Sequence, residues 1–306
     1  MSLKTKRTYL FYLLSIPTVA FVTVILRTVA LLRDYDVATG YFRSPALPVT
    51  TVAILVAATV ILALFTHELR ELFVFSIDYK DLPTLFSGLF LAAALLFFAI
   101  FNITVAKGES ILAIGVAALA SLAALIGASA FAVRAFDGRA QSAIAAMLIL
   151  PLAFLGVLVA LYLYFENTMR INEPNKVLTQ YVLAMVSFFF LGEARIALGR
   201  AKWALHTCIT ALTALSASTV ALPDLIYHAA RGESVLGNTM LDFVLLAVAL
   251  YAMARLFSAF ASALRQSKPE TLYVTDFNAA SASAPAAEDA PQENAEEIAD
   301  EEATDR

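Results

Sequence analysis

Two acid–base pairs with the same spacing stand in strongly apolar parts of the sequence. Glu193 and Arg195 follow a run of three phenylalanines, and Glu68 and Arg70 occupy a similar setting 125 residues earlier. A carboxylate and a guanidinium inside an apolar helix can hold helices together as a buried ion pair. They can also line a path for an ion or a polar solute. The residue types alone leave both interpretations open.

The predicted depth of these residues favours partners on other helices. In a helix that begins at Val177, Glu193 lies about 24 Å along the axis, since each residue advances the helix by about 1.5 Å. A lone charge at that depth costs a few kcal/mol. Arg255 has a similar predicted depth, and Glu68 and Arg134 are the first-half equivalents. We therefore expect a Glu–Arg bridge between the second and fourth helix of each half, with a cytoplasm-facing binding site or ion path as the alternative.

Three further charges stand at the opposite ends of the predicted spans. Arg27 lies near the end of the first span, and Asp224 and Asp242 lie near the outer ends of the seventh and eighth. A bridge from Arg27 to either aspartate would join the two halves of the chain. The alternative is three separate interfacial charges that face water.

The elements that must position these residues are membrane spans. The chain is 60% hydrophobic and 15% charged, whereas a soluble domain is roughly 45–50% apolar and about 25% charged. Apolar runs of the length that crosses a bilayer recur along the chain. This composition predicts an all-α integral membrane fold in the lipid bilayer. The eight predicted spans are 9–32, 46–66, 82–103, 111–133, 141–164, 177–198, 201–222 and 236–264.

The first of these spans resembles a signal peptide only in its basic flank. Its apolar run is too long, and Arg27 with two further leucines follows where a small-residue cleavage site would stand. We therefore predict a retained span. With the N-terminus inside, 12 Lys and Arg flank the cytoplasmic ends and seven flank the outer ends. This bias favours a plasma-membrane protein with both termini in the cytoplasm.

Several polar landmarks recur at a nearly constant interval. Gly108-Glu109-Ser110 opens the fourth span and Gly232-Glu233-Ser234 opens the eighth, 124 residues later, and the Glu-x-Arg pairs show almost the same offset. The pattern predicts a duplication, with residues 1–139 and 140–265 as two membrane repeats. Four spans per repeat give both halves the same orientation, so we expect two parallel four-helix bundles side by side.

The end of the chain, residues 266–306, has a different composition. It holds two Lys and Arg against 11 Asp and Glu, whereas residues 1–265 hold 19 against 14. It has too few large apolar side chains to form a core, so we predict a disordered acidic tail. Such a tail suits a cytoplasmic protein partner, and we expect no nucleic-acid partner.

Span seven is unusually polar. It carries His206 and a series of hydroxyl residues, Thr207, Thr210, Thr213, Ser216, Ser218 and Thr219. Because they fall on more than one helical face, packing and backbone hydrogen bonding are the favoured interpretation. Lining a pathway is the alternative.

Motifs for enzymatic chemistry are absent from the sequence. There is no HExxH, no GxxxxGK[ST] and no CxxC, Cys208 is the single cysteine, and three distant histidines give no ligand spacing. We therefore expect no metal, no cofactor and no catalytic group.

These observations favour a non-enzymatic bacterial-type membrane protein that acts as an envelope sensor, assembly factor or scaffold. The alternative is a small-molecule or ion transporter with a path between the two repeats. A continuous hydrated cavity that reaches mid-membrane and is lined by Glu193, Arg195, Arg255 and their first-half equivalents would distinguish the transporter.

Overall fold

The computed structural model describes residues 3–68, 81–105, 111–137, 143–165, 173–200, 202–235 and 238–265. All eight described helices are long and apolar enough to cross a bilayer, which supports a multi-pass membrane protein and confirms the predicted number of spans. The elements are α1 Leu3–Asp34, β1 Tyr35–Asp36, β2 Tyr41–Phe42, α2 Ala46–Glu68, α3 Leu82–Val105, α4 Ile111–Asp137, α5 Ala143–Phe165, α6 Pro174–Ala197, α7 Trp203–Arg231 and α8 Thr239–Arg265.

Helix α7 is longer than the sequence predicts. The predicted span ends at Leu222, but the helix continues through Pro223 to Arg231. Proline removes one backbone hydrogen bond, and a membrane helix tolerates this loss when its surroundings compensate. The helix ends at Gly232, whose φ of 74° is the left-handed conformation that glycine adopts readily at helix ends.

Contacts between helices define two ends of the molecule. The Tyr12 hydroxyl near the beginning of α1 is hydrogen-bonded to Thr66 near the end of α2, at 3.1 Å. The Tyr12 ring also packs on Phe260 near the end of α8, with ring centroids 5.7 Å apart. We call this the terminal end, and the opposite end, which carries β1 and β2, the hairpin end.

Helices α7 and α8 form the centre of the described fold. In an apolar stretch of 18 residues in each of these helices, 72% of the residues are buried, compared with 17% for α2. Helix α7 packs on α1, α2, α6 and α8, and α8 also packs on α3. Fully buried small residues on α7, Ala211, Ala214 and Ala217, allow these close contacts because a small side chain lets helix backbones approach.

This packing differs from two separate four-helix bundles. The first-half helices α1 and α2 pack on α7, whereas α3 packs on α8 and α4 packs on α5. The described helices of the two halves therefore share one core. The duplication of the sequence stays a prediction, and the expected tail at 266–306 lies outside the described residues.

The connection from α1 to α2 is a small antiparallel hairpin that the sequence did not predict. Tyr35 pairs with Phe42, and Gly40 in the turn has a φ of 73°. The Tyr35 hydroxyl donates a hydrogen bond to Glu173 Oε1 at 2.9 Å, which holds the hairpin on the start of α6. Burial, followed by the charge of Glu173, raises the pKa of Tyr35, so this hydroxyl keeps its proton and remains a donor.

Candidate functional site: two buried charge clusters along helix α7

The carboxylate of Glu193 is surrounded by two arginines and a histidine from three other helices. Arg255 Nε lies 3.0 Å from Oε1, Arg134 Nη1 lies 2.8 Å from Oε2, and His206 Nε2 lies 3.3 Å from Oε1. Glu193 is completely buried. We call these four residues the Glu193 cluster, and they join α4, α6, α7 and α8 at the terminal end.

A tight connection between α6 and α7 positions Glu193 opposite His206. Helix α6 ends at Ala197, Gly199 takes a φ of 68°, and α7 begins at Trp203. A Cβ atom on Gly192 would lie only 2.4 Å from His206 Nδ1. Only glycine at position 192 therefore lets the imidazole approach the carboxylate without displacement.

Aromatic rings enclose this cluster. The ring of Phe189 stacks on His206 with centroids 5.9 Å apart and an interplanar angle of 16°. Tyr251 packs edge-on against Phe131, and its hydroxyl lies 3.5 Å from Arg134 Nη1. Charges in such apolar surroundings interact more strongly than in water, and each depends on its partners for stabilisation.

The structure brings together two residues that the sequence predicted as a bridge, Glu193 and Arg255. Arg134 was expected to pair within its own half, with Glu68. Arg134 contacts Glu193 of the second half, because α4 packs towards the second-half helices through α5, and its pairing with Glu68 stays a prediction. The side chain of Glu68 and the whole of Arg70 lie outside the described residues.

His206 is the member of the cluster that sequence reasoning missed. It was named only as one of the polar residues of span seven, for which packing was the favoured interpretation. Glu193 and His206 stand at similar distances on either side of the α6–α7 connection, so antiparallel packing places them at the same depth. That symmetry about the turn is a sequence signal that could have identified the contact.

Two cavities meet at His206. The larger, of about 240 Å³, lies between α6 and α7, and Arg195, the remaining predicted residue, lines it without joining the Glu193 cluster. The smaller, of about 20 Å³, is bounded by His206 and Arg255. Lining residues of the larger cavity are Phe188, Leu191, Gly192, Arg195, Lys202, Leu205, His206 and Ile209. His206 therefore connects a sizeable cavity with the buried carboxylate.

The three charges predicted near the other end also lie together inside the protein. Arg27 Nη2 is 2.9 Å from Asp224 Oδ1, which joins α1 to α7. Asp242 of α8 is close enough to interact electrostatically with both. None of the three is more than 5% exposed. We call Arg27, Asp224 and Asp242 the Asp224 cluster.

Several polar atoms of the Asp224 cluster lack hydrogen bonds. Within the described part of the chain, Arg27 Nε, Asp224 Oδ2 and Asp242 Oδ1 are buried without a partner. Such atoms are unusual in folded proteins and often mark a functional position. A cavity of about 40 Å³ adjoins the cluster and is lined by Arg27, Thr51 and Asn175 among apolar residues. This space is large enough for water.

Buried hydroxyl groups follow α7 between the clusters. Thr210 Oγ1 lies 3.3 Å from His206 Nε2, and Thr219 Oγ1 lies 2.7 Å from Thr23 Oγ1 of α1. His206 and Asp224 are 18 residues apart, which corresponds to about 27 Å of helix. That distance approaches the thickness of a hydrocarbon core, about 30 Å. The clusters therefore lie near opposite sides of the predicted membrane region.

In comparisons with known proteins, no family model matches the chain, and neither a curated protein nor a solved structure matches it. Across the residues that the structure describes, no group of three His, Cys, Asp or Glu side chains is placed to hold a metal ion. The function is therefore argued from the two clusters and the helix that joins them.

Proposed function

We propose that the protein is a non-enzymatic transporter of an ion or a small molecule, with its path along α7. The observation that carries this proposal is the presence of ionisable clusters near both ends of a central buried helix, each beside a cavity. Ionisable side chains within membrane spans are expensive and are most often found on substrate or ion pathways. Helix α7 packs on α1 and α2 of the first half and on α6 and α8 of the second.

The position of His206 supports an entry for the transported ion or molecule to the Glu193 cluster from the terminal end. This residue lines the cavity of about 240 Å³ and contacts Glu193, so a proton or polar group that enters between α6 and α7 meets the cluster there. At the hairpin end, Arg27 has the corresponding position beside the smaller cavity. Each cluster therefore has an approach from its own side.

The middle of α7 separates these two approaches. Ala214 and Ala217 are fully buried there, and the neighbouring hydroxyls of Thr213 and Thr219 bond to the carbonyl of Met185 and to Thr23. A transporter must keep its path closed between the two sides for part of its cycle. The packed centre of α7 fits that closed state, and its hydroxyl groups supply polar contacts once the helices separate.

The test is transport by the purified protein in liposomes. Electrical currents and solute uptake are measured with inorganic ions, organic acids, amino acids and sugars, with and without a pH gradient. Thr219→Val removes a buried hydroxyl on the path, whereas Thr18→Val removes an exposed one that bonds only within α1. We expect transport that Thr219→Val reduces several-fold and Thr18→Val leaves unchanged. Equal activity in the two variants, or no transport above that of empty liposomes, would contradict the proposal.

A second candidate function is the sensor, assembly or scaffold role. It is favoured by the complete enclosure of Glu193, whose carboxylate contacts two arginines and a histidine and ties four helices together. Such a cluster can serve as a fixed structural clasp. Absence of transport, combined with full recovery of stability when the cluster is replaced by apolar residues, would favour this role.

For either role, we propose that both termini face the cytoplasm and that the acidic residues 266–306 bind a cytoplasmic protein. The support is the excess of Lys and Arg at the predicted inner ends of the spans and the change in composition after residue 265. The proposal of two parallel repeats rests on the recurring polar landmarks.

A further inference from the structure

The Asp224 cluster contains two carboxyl groups and one guanidinium group in a buried setting. Arg27 Nη2 contacts Asp224 Oδ1 at 2.9 Å, and Asp242 Oδ1 is buried without a hydrogen-bond partner among the described residues. Both aspartates are 1% exposed. Two carboxylates that share one cation in apolar surroundings are not both stable in the charged form. A further positive charge must accompany the second carboxylate.

The charged groups on the neighbouring elements do not provide this second positive charge. Helix α3, which packs on α8, has no charged residue, and neither does α2 at the hairpin end. At the start of α6, Glu173 binds the Tyr35 hydroxyl of the hairpin. Arg231 of α7 donates a hydrogen bond to the carbonyl oxygen of Leu32, and Asp242 Oδ1 has no hydrogen-bond partner among the described residues, Lys176 of α6 included.

We propose that Asp224 and Asp242 share one exchangeable proton beside Arg27, so that the Asp224 cluster is a proton-binding site within the membrane. This inference rests on the proposed function and deepens it, because it names the proton as the ion that drives transport. Two interacting carboxyl groups bind and release protons as a unit, so the proton belongs to the pair.

A proton fits this site better than a metal cation. The Arg27 guanidinium, in contact with Asp224, repels a second full positive charge at the same position. Hard metal cations also require six or more oxygen ligands, and the described residues do not form even a three-residue acidic or histidine cluster. A proton needs only one carboxyl oxygen and one acceptor.

A route for the proton reaches Arg27, which contacts Asp224. The cavity of about 40 Å³ at the hairpin end is bounded by Arg27, Thr51 and Asn175. It has room for water with polar partners, and such water can carry a proton towards the carboxyl groups. Loss of the proton leaves Asp242 free to compete with Asp224 for Arg27. Because these residues lie on α8, α7 and α1, proton release changes which helices the guanidinium holds together.

The experiment is infrared difference spectroscopy on the full-length protein in detergent, recorded during a pH change in normal and heavy water. A protonated carboxylic acid has a carbonyl band that shifts on deuteration, and we expect such a band in the wild type. Asp242→Asn should abolish it. The matched control Asp81→Asn alters a partly exposed aspartate outside the helices and should leave the band intact.

A band of unchanged intensity in both Asp242→Asn and Asp224→Asn would overturn the inference. So would a band that sodium or potassium removes at constant pH, since that result would identify a metal cation as the ligand. If Asp224→Asn fails to fold, the double change of Arg27→Gln with Asp224→Asn removes one charge of each sign and leaves Asp242 without a cation, so the band of protonated Asp242 should persist. Loss of the band in this double variant would also overturn the inference. Because this measurement does not involve transport, a normal band in a transport-inactive protein would contradict the proposed function while supporting the proton site.

Discussion

The guanidinium of Arg134 lies 2.8 Å from the carboxylate of Glu193, and this contact joins a helix of the first half to a helix of the second. Arg255 binds the other oxygen of the same carboxylate at 3.0 Å. The two arginines therefore share one carboxylate. The consequences for stability can be measured by removing the partners in turn.

Replacing Glu193 with leucine should destabilise the protein by about 3–5 kcal/mol, because it leaves buried cations without their carboxylate partner. Adding Arg255→Leu should recover part of this loss, and adding Arg134→Leu as well should recover most of it. The free energy of unfolding in mixed micelles provides the measurement. Losses that simply add from one variant to the next would show that these residues do not act together.

Gly192→Ala should displace His206 from Glu193. The new Cβ would lie 2.4 Å from His206 Nδ1, and the imidazole is fixed against Phe189, so the strain should cost about 1–3 kcal/mol. The matched control is Gly115→Ala on α4, where a Cβ would meet nothing within 4 Å. Alanine there should be neutral or stabilising by about 0.5–1 kcal/mol. Similar thermal unfolding of the two variants would argue against the close approach of α6 and α7.

The hydrogen bond between Thr23 and Thr219 should give a measurable coupling energy between α1 and α7. A double-mutant cycle with Thr23→Val and Thr219→Val should yield about 0.6 kcal/mol, the average for such bonds in membrane proteins. Thr18→Val replaces the matched exposed threonine of α1 and should show no coupling to Thr219→Val. Zero coupling in the first cycle would indicate that the hydroxyls do not meet.

The predicted orientation can be tested by cysteine labelling in a Cys208→Ser background. Thr39→Cys in the exposed turn of the hairpin should react with a membrane-impermeant maleimide on intact cells. Arg200→Cys in the exposed α6–α7 connection should react only after the cells are opened. Labelling of Arg200→Cys from outside intact cells would reverse the orientation.

The helices were predictable because hydrocarbon imposes a minimum apolar length on each span. The end of α7 was not predictable in this way. By sequence alone Pro223 indicates the end of a helix, but its actual effect depends on the neighbouring helices. The β1–β2 hairpin was also missed, because strands of two residues leave almost no periodicity. Local patterns therefore established which segments are helical without establishing how those segments end or connect.

The charged residues of the candidate site could be selected from the sequence, because ionisable groups are conspicuous in apolar spans. Their pairing could not be fully predicted. The repeat implied a pairing of Arg134 with Glu68, which stays a prediction. The contact between Arg134 and Glu193 was not predicted, because it depends on how α4 packs among the second-half helices. His206 was overlooked for the same reason, since its contact depends on the tight α6–α7 connection and on Gly192.

Proton flux through liposomes tests the central claim most directly. A potassium gradient with valinomycin sets the membrane potential, and a trapped pH-sensitive dye reports proton entry in the presence of the transported solute. The account predicts flux that Asp242→Asn abolishes and Asp81→Asn preserves, with both variants folded to the same extent. Flux of equal size in the two variants, or none in the wild type, would contradict a proton-driven path along α7.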